Sequence, residues 1–316
     1  MSNTVLVTGG AGFIGSHLVD ALLADGYAVR VVDDLSSGFL KNLEQHGSRV
    51  QPIIADISEM DVAREVCRDV EFVLHHAAVP SVPRSVSNPF ATQRAGEIAT
   101  LTLLEACAER KVRRVMLAAS SSAYGGSDEF PARETHTPSP LSPYAASKLA
   151  CEYYLRAYVH CRGLDGIAFR YFNIFGPRQD PSSPYSAVIS VFLDRIRKGE
   201  RPHIFGDGEQ SRDFTYVANV VHANLLAIRA KTPLAGTVCN VGCGERVTLN
   251  ALVTVLNAEL GTAIEPTFGP PRPGDARQSQ ADISQANRVL GYVPQVMFGE
   301  GIHRLVGYDS AQQARN

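Results

Sequence analysis

Long apolar runs are missing from this 316-residue chain, and so is any excess of one charge. No stretch approaches the roughly 18 apolar residues that a bilayer span requires, and no basic-apolar-small leader pattern stands at the N-terminus. A soluble, cytoplasmic protein with no membrane partner is expected. Lys and Arg number 30 against 32 Asp and Glu, so there is no basic footprint for nucleic acid and no acidic tail. No CxxC pair occurs among Cys67, Cys107, Cys151, Cys161, Cys239 and Cys243, which argues against a disulfide framework and for reduced thiols. No metal site is expected. Internal repeats and low-complexity tracts are also absent, and the length suffices for a sizeable core.

What is present is alternation. Short β-branched runs at Thr4 to Thr8, Ala28 to Asp33, Val50 to Asp56, Glu71 to Ala78, Arg113 to Ser120 and Gly166 to Asn173 are separated by helical stretches. That pattern predicts an α/β fold, a Rossmann-type doubly wound parallel sheet covered on both faces. Leu18 with Leu22, and Val19 with Leu23, fall at i, i+4 on one helix stripe, which Gly26 ends. Past Gly176 the elements shorten and Gly/Pro-rich loops intervene. Residues 1–175 are therefore expected to form the Rossmann domain and 176–316 a smaller C-terminal α/β substrate lobe, with some crossings of the chain.

Directly after the first run stands "TGGAGFIGSH". A chain that turns from strand into helix while admitting a pyrophosphate needs residues without a Cβ, and Gly9, Gly12 and Gly15 have the spacing for it. The amides opening the helix, with its dipole, supply the anion site. Tight strand-to-helix turns use glycine without any ligand, so context must decide. The second run ends in Asp33, placed to accept from an adenosine ribose and to repel a 2′-phosphate, which favours NAD. Asp56, ending the third run, either borders the adenine or caps the helix that follows.

"SPYAASK" begins with Ser142 as a helix cap and Pro143 in the first turn, and puts Tyr144 and Lys148 four apart on one face. An ammonium near a phenol favours phenolate. Bringing a tyrosine from its usual pKa of ~10 to neutrality takes on the order of 4 kcal/mol, which Lys148 and a nicotinamide cation in a dry cleft can provide. Such a tyrosine is a general base for an alcohol. "AASSSAYGG" places Ser120, Ser121 and Ser122 at the C-terminal edge of the sheet, where α/β folds bind ligands.

Together with "VVDDLSSG", "RYFNIFGPRQDP", "GDGEQSRDFTYV" and "RPGDARQSQADIS", these motifs run along nearly the whole chain in the order of the extended short-chain dehydrogenase/reductase family, and resemble its UDP-hexose 4-epimerases. The resemblance implies NAD held by Gly9, Gly12, Phe13, Ile14, Gly15, Asp33, Asp34, Ser37, Asp56, Ile57, Ala77, Ala78, Lys148 and Phe172. It makes Tyr144 the base, Lys148 its tuner and Ser120 the hydroxyl at the reacting oxygen, with Ser121 and Ser122 as alternatives. Arg212 and Arg272 are then the arginines that clamp a UDP diphosphate. Asp275 is the partner of the uridine ribose, and Arg84, Asn173, Val188 and Ser279 complete the sugar-nucleotide side. Residues 1–175 become the NAD-binding domain and 176–316 the UDP-sugar-binding lobe. A homodimer packed through Leu101 to Ala108 and Tyr144 to Tyr158 is implied too.

The implied chemistry is redox-neutral: oxidation at C4 of a UDP-hexose and return of the hydride to its other face, with NAD regenerated each cycle. The Asp-Glu pair of relatives that dehydrate their sugars is absent before the Tyr-Gly of the serine motif. Epimerases or decarboxylases of UDP-glucuronate remain as alternatives, with Arg178 or a serine receiving the carboxylate, as does a non-catalytic NAD-binding relative. The likeness is strongest to epimerases that accept N-acetylated sugars, in which the residue aligned with Ser279 is small. One departure stands out: where the family shows N-V-x-G-T, this chain reads "GEIAT", Gly96 to Thr100. Gly96 has no side chain to help hold the cofactor region, so NAD is expected to be held less firmly than is usual for such epimerases.

Overall fold

The computed structural model of the chain describes residues 3–125, 129–180, 188–271 and 277–313. β1 (Thr4–Thr8) forms its centre, with Val5, Leu6 and Val7 wholly enclosed. A strand covered on both faces needs a continuous apolar run, not alternation, and "TVLVT" is one. α1 (Phe13–Ala24) follows at once and buries Leu18, Val19 and Leu22. Gly26, just past its end at φ +82°, takes the left-handed conformation that stops the helix.

β2 (Ala28–Asp33), β3 (Ile53–Ile54), α2 (Met60–Val66), β4 (Phe72–His75), α3 (Val82–Ser87), α4 (Pro89–Gln93), α5 (Ala99–Glu109), β5 (Arg114–Ser120), α6 (Pro143–Arg162) and β6 (Gly166–Tyr171) continue the alternation. The run expected over Val50 to Asp56 shrinks to two residues because β3 is a sheet edge: Ile53 and Ile54 are exposed and pair only with Val32 and Asp33. β6 stops at Tyr171, short of Asn173, because Asn173 has φ +35° and leaves the extended region.

After β7 (Ile174–Phe175) come α7 (Val188–Arg197), β8 (His203–Phe205), β9 (Ser211–Arg212), β10 (Thr215–Tyr216) and α8 (Val217–Arg229). The chain then returns to the main sheet with β11 (Thr237–Val241). β12 (Val247–Thr248), α9 (Leu249–Leu260), β13 (Thr267–Gly269), α10 (Ser284–Leu290) and α11 (Phe298–Gln313) complete it. Among the described residues the main sheet has seven strands, ordered β11-β6-β5-β4-β1-β2-β3 and parallel throughout. Its order reverses between β1 and β4, the position at which doubly wound sheets open a crevice at their C-terminal edge.

Two apolar layers cover the sheet. α1 and α8 close one face over Val5, Val7, Met116 and Phe169, and α2, α5 and α6 close the other over Leu6, Val73 and Leu117. A third cluster, around Phe175, Phe192, Leu252 and Ile302, is built by α7, α9 and α11. The chain thus passes Phe175, comes back through α8 and β11, and leaves again. Among the described residues no helix is long and apolar enough to cross a membrane.

Candidate active site

Two of the three loop glycines are required by packing. Gly9 has φ +67°, and a Cβ there would lie 2.7 Å from Ala77 N; one on Gly15 would lie 2.1 Å from Gly9 O. No side chain fits at either position. Gly12 differs, with φ −75° and its nearest neighbour 3.2 Å away. It begins α1 without any side-chain cap, which leaves the first-turn amides around Phe13 and Ile14 for an anion, at the positive end of the dipole.

Asp33 ends β2 beside this loop, 6% exposed. Its Oδ2 accepts from Ala11 N and its Oδ1 from Leu35 N, each at 2.9 Å. Burial pushes the carboxyl up from its ordinary value, and the backbone N–H groups of Leu35, Ala11 and Gly12 oppose the rise. Each oxygen retains a lone pair for a ribose hydroxyl. Gly38 keeps that space open, since a Cβ there would come within 2.9 Å of Asp33 Oδ1; within its polar loop nothing marks it out. Asp34 and Ser37 lie exposed on the same loop, Asp34 accepting from Ser36 N. An uncapped helix start, a buried carboxylate at the end of β2 and a glycine-rich loop together suit a dinucleotide.

Asp56 does not cap α2, whose first boundary residue is Glu59. Its carboxylate accepts from Ser58 N at 2.8 Å and pairs with Arg94 at 3.2 Å. Burial, which would raise its pKa, is outweighed by these bonds, and the pKa falls. Ile57 is buried in the core. Ala77, which with Ala78 follows β4, donates its N–H to Thr8 Oγ1 at 3.1 Å.

Beneath this loop lies a hub that no local pattern announces. His75 Nδ1 is 2.7 Å from Thr8 Oγ1, His75 Nε2 is 3.0 Å from Thr100 Oγ1, and Thr100 in turn donates to Cys151 Sγ. Burial pushes the imidazole down to about 3, with Lys148 and His76 adding to the fall. The ring is therefore neutral, and the bond directions put its proton on Nε2. One side chain thereby ties β1, β4, α5 and α6 together.

At the end of β5, Ser120 Oγ accepts from Ser122 N at 3.2 Å and from Ser122 Oγ at 2.8 Å. α6 starts as its sequence requires: Ser142 Oγ accepts from Ala145 N, Pro143 takes the first turn, and Gly163 at φ +67° closes the far end. Tyr144 and Lys148 share the face turned to β5. Burial pushes the Tyr144 phenol up from its ordinary value, with Ser120 at the end of β5 opposing the rise. Lys148 Nζ donates to Ala118 O at 2.7 Å, and burial lowers its own pKa against Cys151 and Glu152. The ammonium is thus anchored on the main chain of β5, and the protein by itself does not hold Tyr144 as phenolate. One turn on, Glu152 makes two bonds to Arg170, at 2.9 and 2.7 Å, and pins α6 to β6.

Across the crevice a cleft of about 730 Å³ is lined by Asn173, Val188, His203, Phe205, Arg212 and Phe214, among others. Arg212 is placed by the antiparallel pairing of β9 with β12. Asn173 Nδ2 lies 3.4 Å from Asp213 O and 3.5 Å from Ser279 Oγ. Its φ of +35° is rarely adopted outside glycine and marks a backbone held by its surroundings. Asp213, next to Arg212, is fully buried and accepts from the backbone N–H of Cys243, Gly244 and Ala281. Burial pushes it up to about 6, against those bonds. Adjacency to Arg212 is the only sequence signal it carries.

Of the other expected site residues, two fall outside the described residues. Phe172 is 1% exposed, its ring centroid 6.1 Å from that of Tyr124 in a small core cluster. Arg84 is exposed on α3. Arg272 and Asp275 fall outside the described residues. Arg178 is committed elsewhere, its Nη2 2.6 Å from Asp20 Oδ2.

Residues 5–242 match the model of the NAD dependent epimerase/dehydratase family. The chain is 40% identical over 308 residues to a UDP-glucose 4-epimerase of Mycolicibacterium smegmatis, covering 96% of this chain and 97% of that one. Its fold superimposes with a TM-score of 0.93 on a UDP-N-acetylglucosamine 4-epimerase from Methanobrevibacter ruminantium M1 in complex with UDP-N-acetylmuramic acid, at 40% identity and 98% and 99% coverage. A UDP-glucuronic acid 4-epimerase from Bacillus cereus, in complex with UDP-glucuronic acid and NAD, is similar at a TM-score of 0.90, 31% identity and 98% and 99% coverage.

Proposed function

The chain belongs to the NAD dependent epimerase/dehydratase family and is an NAD-dependent UDP-sugar 4-epimerase; we propose that it interconverts the C4 epimers of UDP-hexoses, the N-acetylated ones (UDP-GlcNAc and UDP-GalNAc) together with UDP-glucose and UDP-galactose, with Tyr144 as the base. The observation that carries this reading is the Tyr144–Lys148 face of α6 seated on β5, with Lys148 Nζ on Ala118 O at 2.7 Å, in the same sheet as the strand that leads into the glycine loop.

NAD, when bound, supplies a hydride acceptor for C4 and a positive charge. The chain's own residues do the rest. The amides opening α1 hold the diphosphate of the dinucleotide and Asp33 accepts from its ribose. Arg212 holds the diphosphate of the UDP-sugar, a task for a planar, permanently charged donor, and Val188 and Phe205 supply apolar walls of the same cleft. In this reading the segment before Phe175 grips NAD and much of the segment after it grips UDP. Tyr144 takes the proton of the C4 hydroxyl and later gives it back, while Ser120 donates to the oxygen on which charge develops.

Two features bear on the sugar. Ser279 is small and lies against Asn173, which leaves volume for an N-acetyl group. Arg178, one of the two kinds of residue suited to a uronate carboxylate, is 14% exposed and paired with Asp20, which leaves only the serines for that task and favours a neutral hexose. Replacing Tyr144 by Phe tests the base: turnover is expected to fall by about 10²–10⁴-fold with NAD binding unchanged. Retained turnover contradicts the assignment.

A further inference from the structure

Resting on the reading of the Arg212 cleft as the seat of the UDP-sugar, we propose that Asp213 is a positioning residue for that substrate: its carboxylate joins separate segments of the chain into one wall and so fixes Arg212, Asn173 and Ser279 relative to one another.

Asp213 is wholly enclosed, on the short link between β9 and β10. Its carboxylate is spent on main-chain groups. Oδ1 accepts from Cys243 N at 2.8 Å, and Oδ2 accepts from Gly244 N at 2.9 Å and from Ala281 N at 3.0 Å. A carboxylate only accepts, and bonds to an ionised acceptor are stronger than neutral ones. The loop after β11 and the segment that carries Ser279 are thereby drawn onto the residue next to Arg212. Glycine at position 242 permits the approach: a Cβ there would stand 2.8 Å from Asp213 Oδ2 and 2.7 Å from Ala281 Cβ. A second tie runs beside the first, from Gln280 Nε2 to Gly244 O at 2.8 Å.

The main chain of Asp213 faces the sugar side. Its carbonyl O lies 3.4 Å from Asn173 Nδ2, and the same amide lies 3.5 Å from Ser279 Oγ. The contacts close a ring, from Asn173 to Asp213, through the carboxylate to Ala281, back along the chain to Ser279, and on to Asn173. Asn173 is clasped from behind as well, since its carbonyl accepts from Thr215 N at 3.2 Å. Arg212 is the neighbour of Asp213 on the chain, and Arg212 and Asn173 both line the cleft. The groups read as holding the cofactor are anchored elsewhere, Asp33 on Ala11 and Leu35, and Lys148 on Ala118. Loosening the ring therefore weakens the grip on the UDP-sugar and leaves NAD in place.

The test compares the NAD-loaded protein with its Asp213→Asn variant. Asparagine keeps the shape but has one acceptor oxygen, and its amino group then faces a main-chain N–H. Either Cys243 or the pair Gly244 and Ala281 loses its partner. Calorimetric titration with UDP, NAD titration of the dialysed protein and steady-state kinetics with the UDP-sugar that the wild type turns over are measured side by side. The Kd of UDP and the KM of the UDP-sugar are expected to rise about tenfold, the effect of an unpartnered buried N–H, with kcat and the Kd of NAD unchanged. A measurement on the wild type needs no variant to fold: by the reciprocity of linkage, saturating UDP should slow amide hydrogen exchange at Cys243, Gly244 and Ala281. Unchanged KM and UDP affinity in Asp213→Asn, an equal loss of NAD affinity, or exchange at the three amides that UDP does not slow would each overturn the proposal. Wild-type protein that binds no UDP would overturn the reading of the cleft itself, before any variant is compared.

Discussion

Asn173 Nδ2 lies 3.5 Å from Ser279 Oγ, which joins residues 106 positions apart beside the cleft that Asn173 and Arg212 line. Neither is free to retreat. Asn173 is held at φ +35°, and the segment of Ser279 is pinned by Ala281 N on Asp213 and by Gln280 O on Ala132 N. A large side chain at position 279 must therefore fill the pocket. Ser279→Tyr is expected to lower kcat/KM for UDP-N-acetylglucosamine, relative to UDP-glucose, by roughly tenfold or more. An unchanged ratio would show that this wall does not select the sugar.

Substitutions in the glycine loop should separate packing from ligand binding. A Cβ on Gly15 would stand 2.1 Å from Gly9 O, so Gly15→Ala must push the loop apart, at about 1–3 kcal/mol of stability, and lose NAD. At Gly12 the nearest atom is 3.2 Å away and φ is −75°. Gly12→Ala should melt close to wild type and yet bind NAD more weakly, because its Cβ occupies the anion-binding face of α1. Thermal melts paired with NAD titrations check this, and identical behaviour of the two variants would contradict it.

Gly96 bears on how firmly NAD is held. It lies in a π-helical turn, Arg94–Ile98, where a Cβ would come 3.1 Å from Ser147 Oγ, beside Lys148. Gly96 itself offers no side chain to the sheet, and the His75 hub with Thr8 and Thr100 is a polar tie nearby. We expect NAD to exchange during extensive dialysis of the purified protein, followed by absorbance of the released nucleotide. One equivalent retained would contradict this.

The local parts of this architecture were legible in the sequence because local rules produce them. β1, β2 and the two ends of α6 follow from β-branched runs, Ser142, Pro143 and Gly163. The return of β11 to pair with β6 was not legible, since nothing in "TVCNV" names a partner some seventy residues earlier. The same holds for the site. Gly9, Asp33, Ser120, Tyr144 and Lys148 sit at positions that strand ends and helix faces define. His75, Asp213, Gly38 and the pairing of Arg178 with Asp20 depend on long-range packing, to which periodicity and spacing are blind. Asp56 shows the limit from the other side: a helix cap and a cofactor contact looked alike until Glu59 took the boundary of α2 and Arg94 took the carboxylate.

The most direct test of the central claim is proton NMR of the anomeric region while the purified, NAD-loaded protein is incubated separately with UDP-N-acetylglucosamine, UDP-glucose and UDP-glucuronate. The site described here predicts anomeric signals of the 4-epimer from the two hexoses, with none from the uronate. Turnover of the uronate alone, whether to its epimer or to a pentose, or no new signal from any of the three, would contradict it.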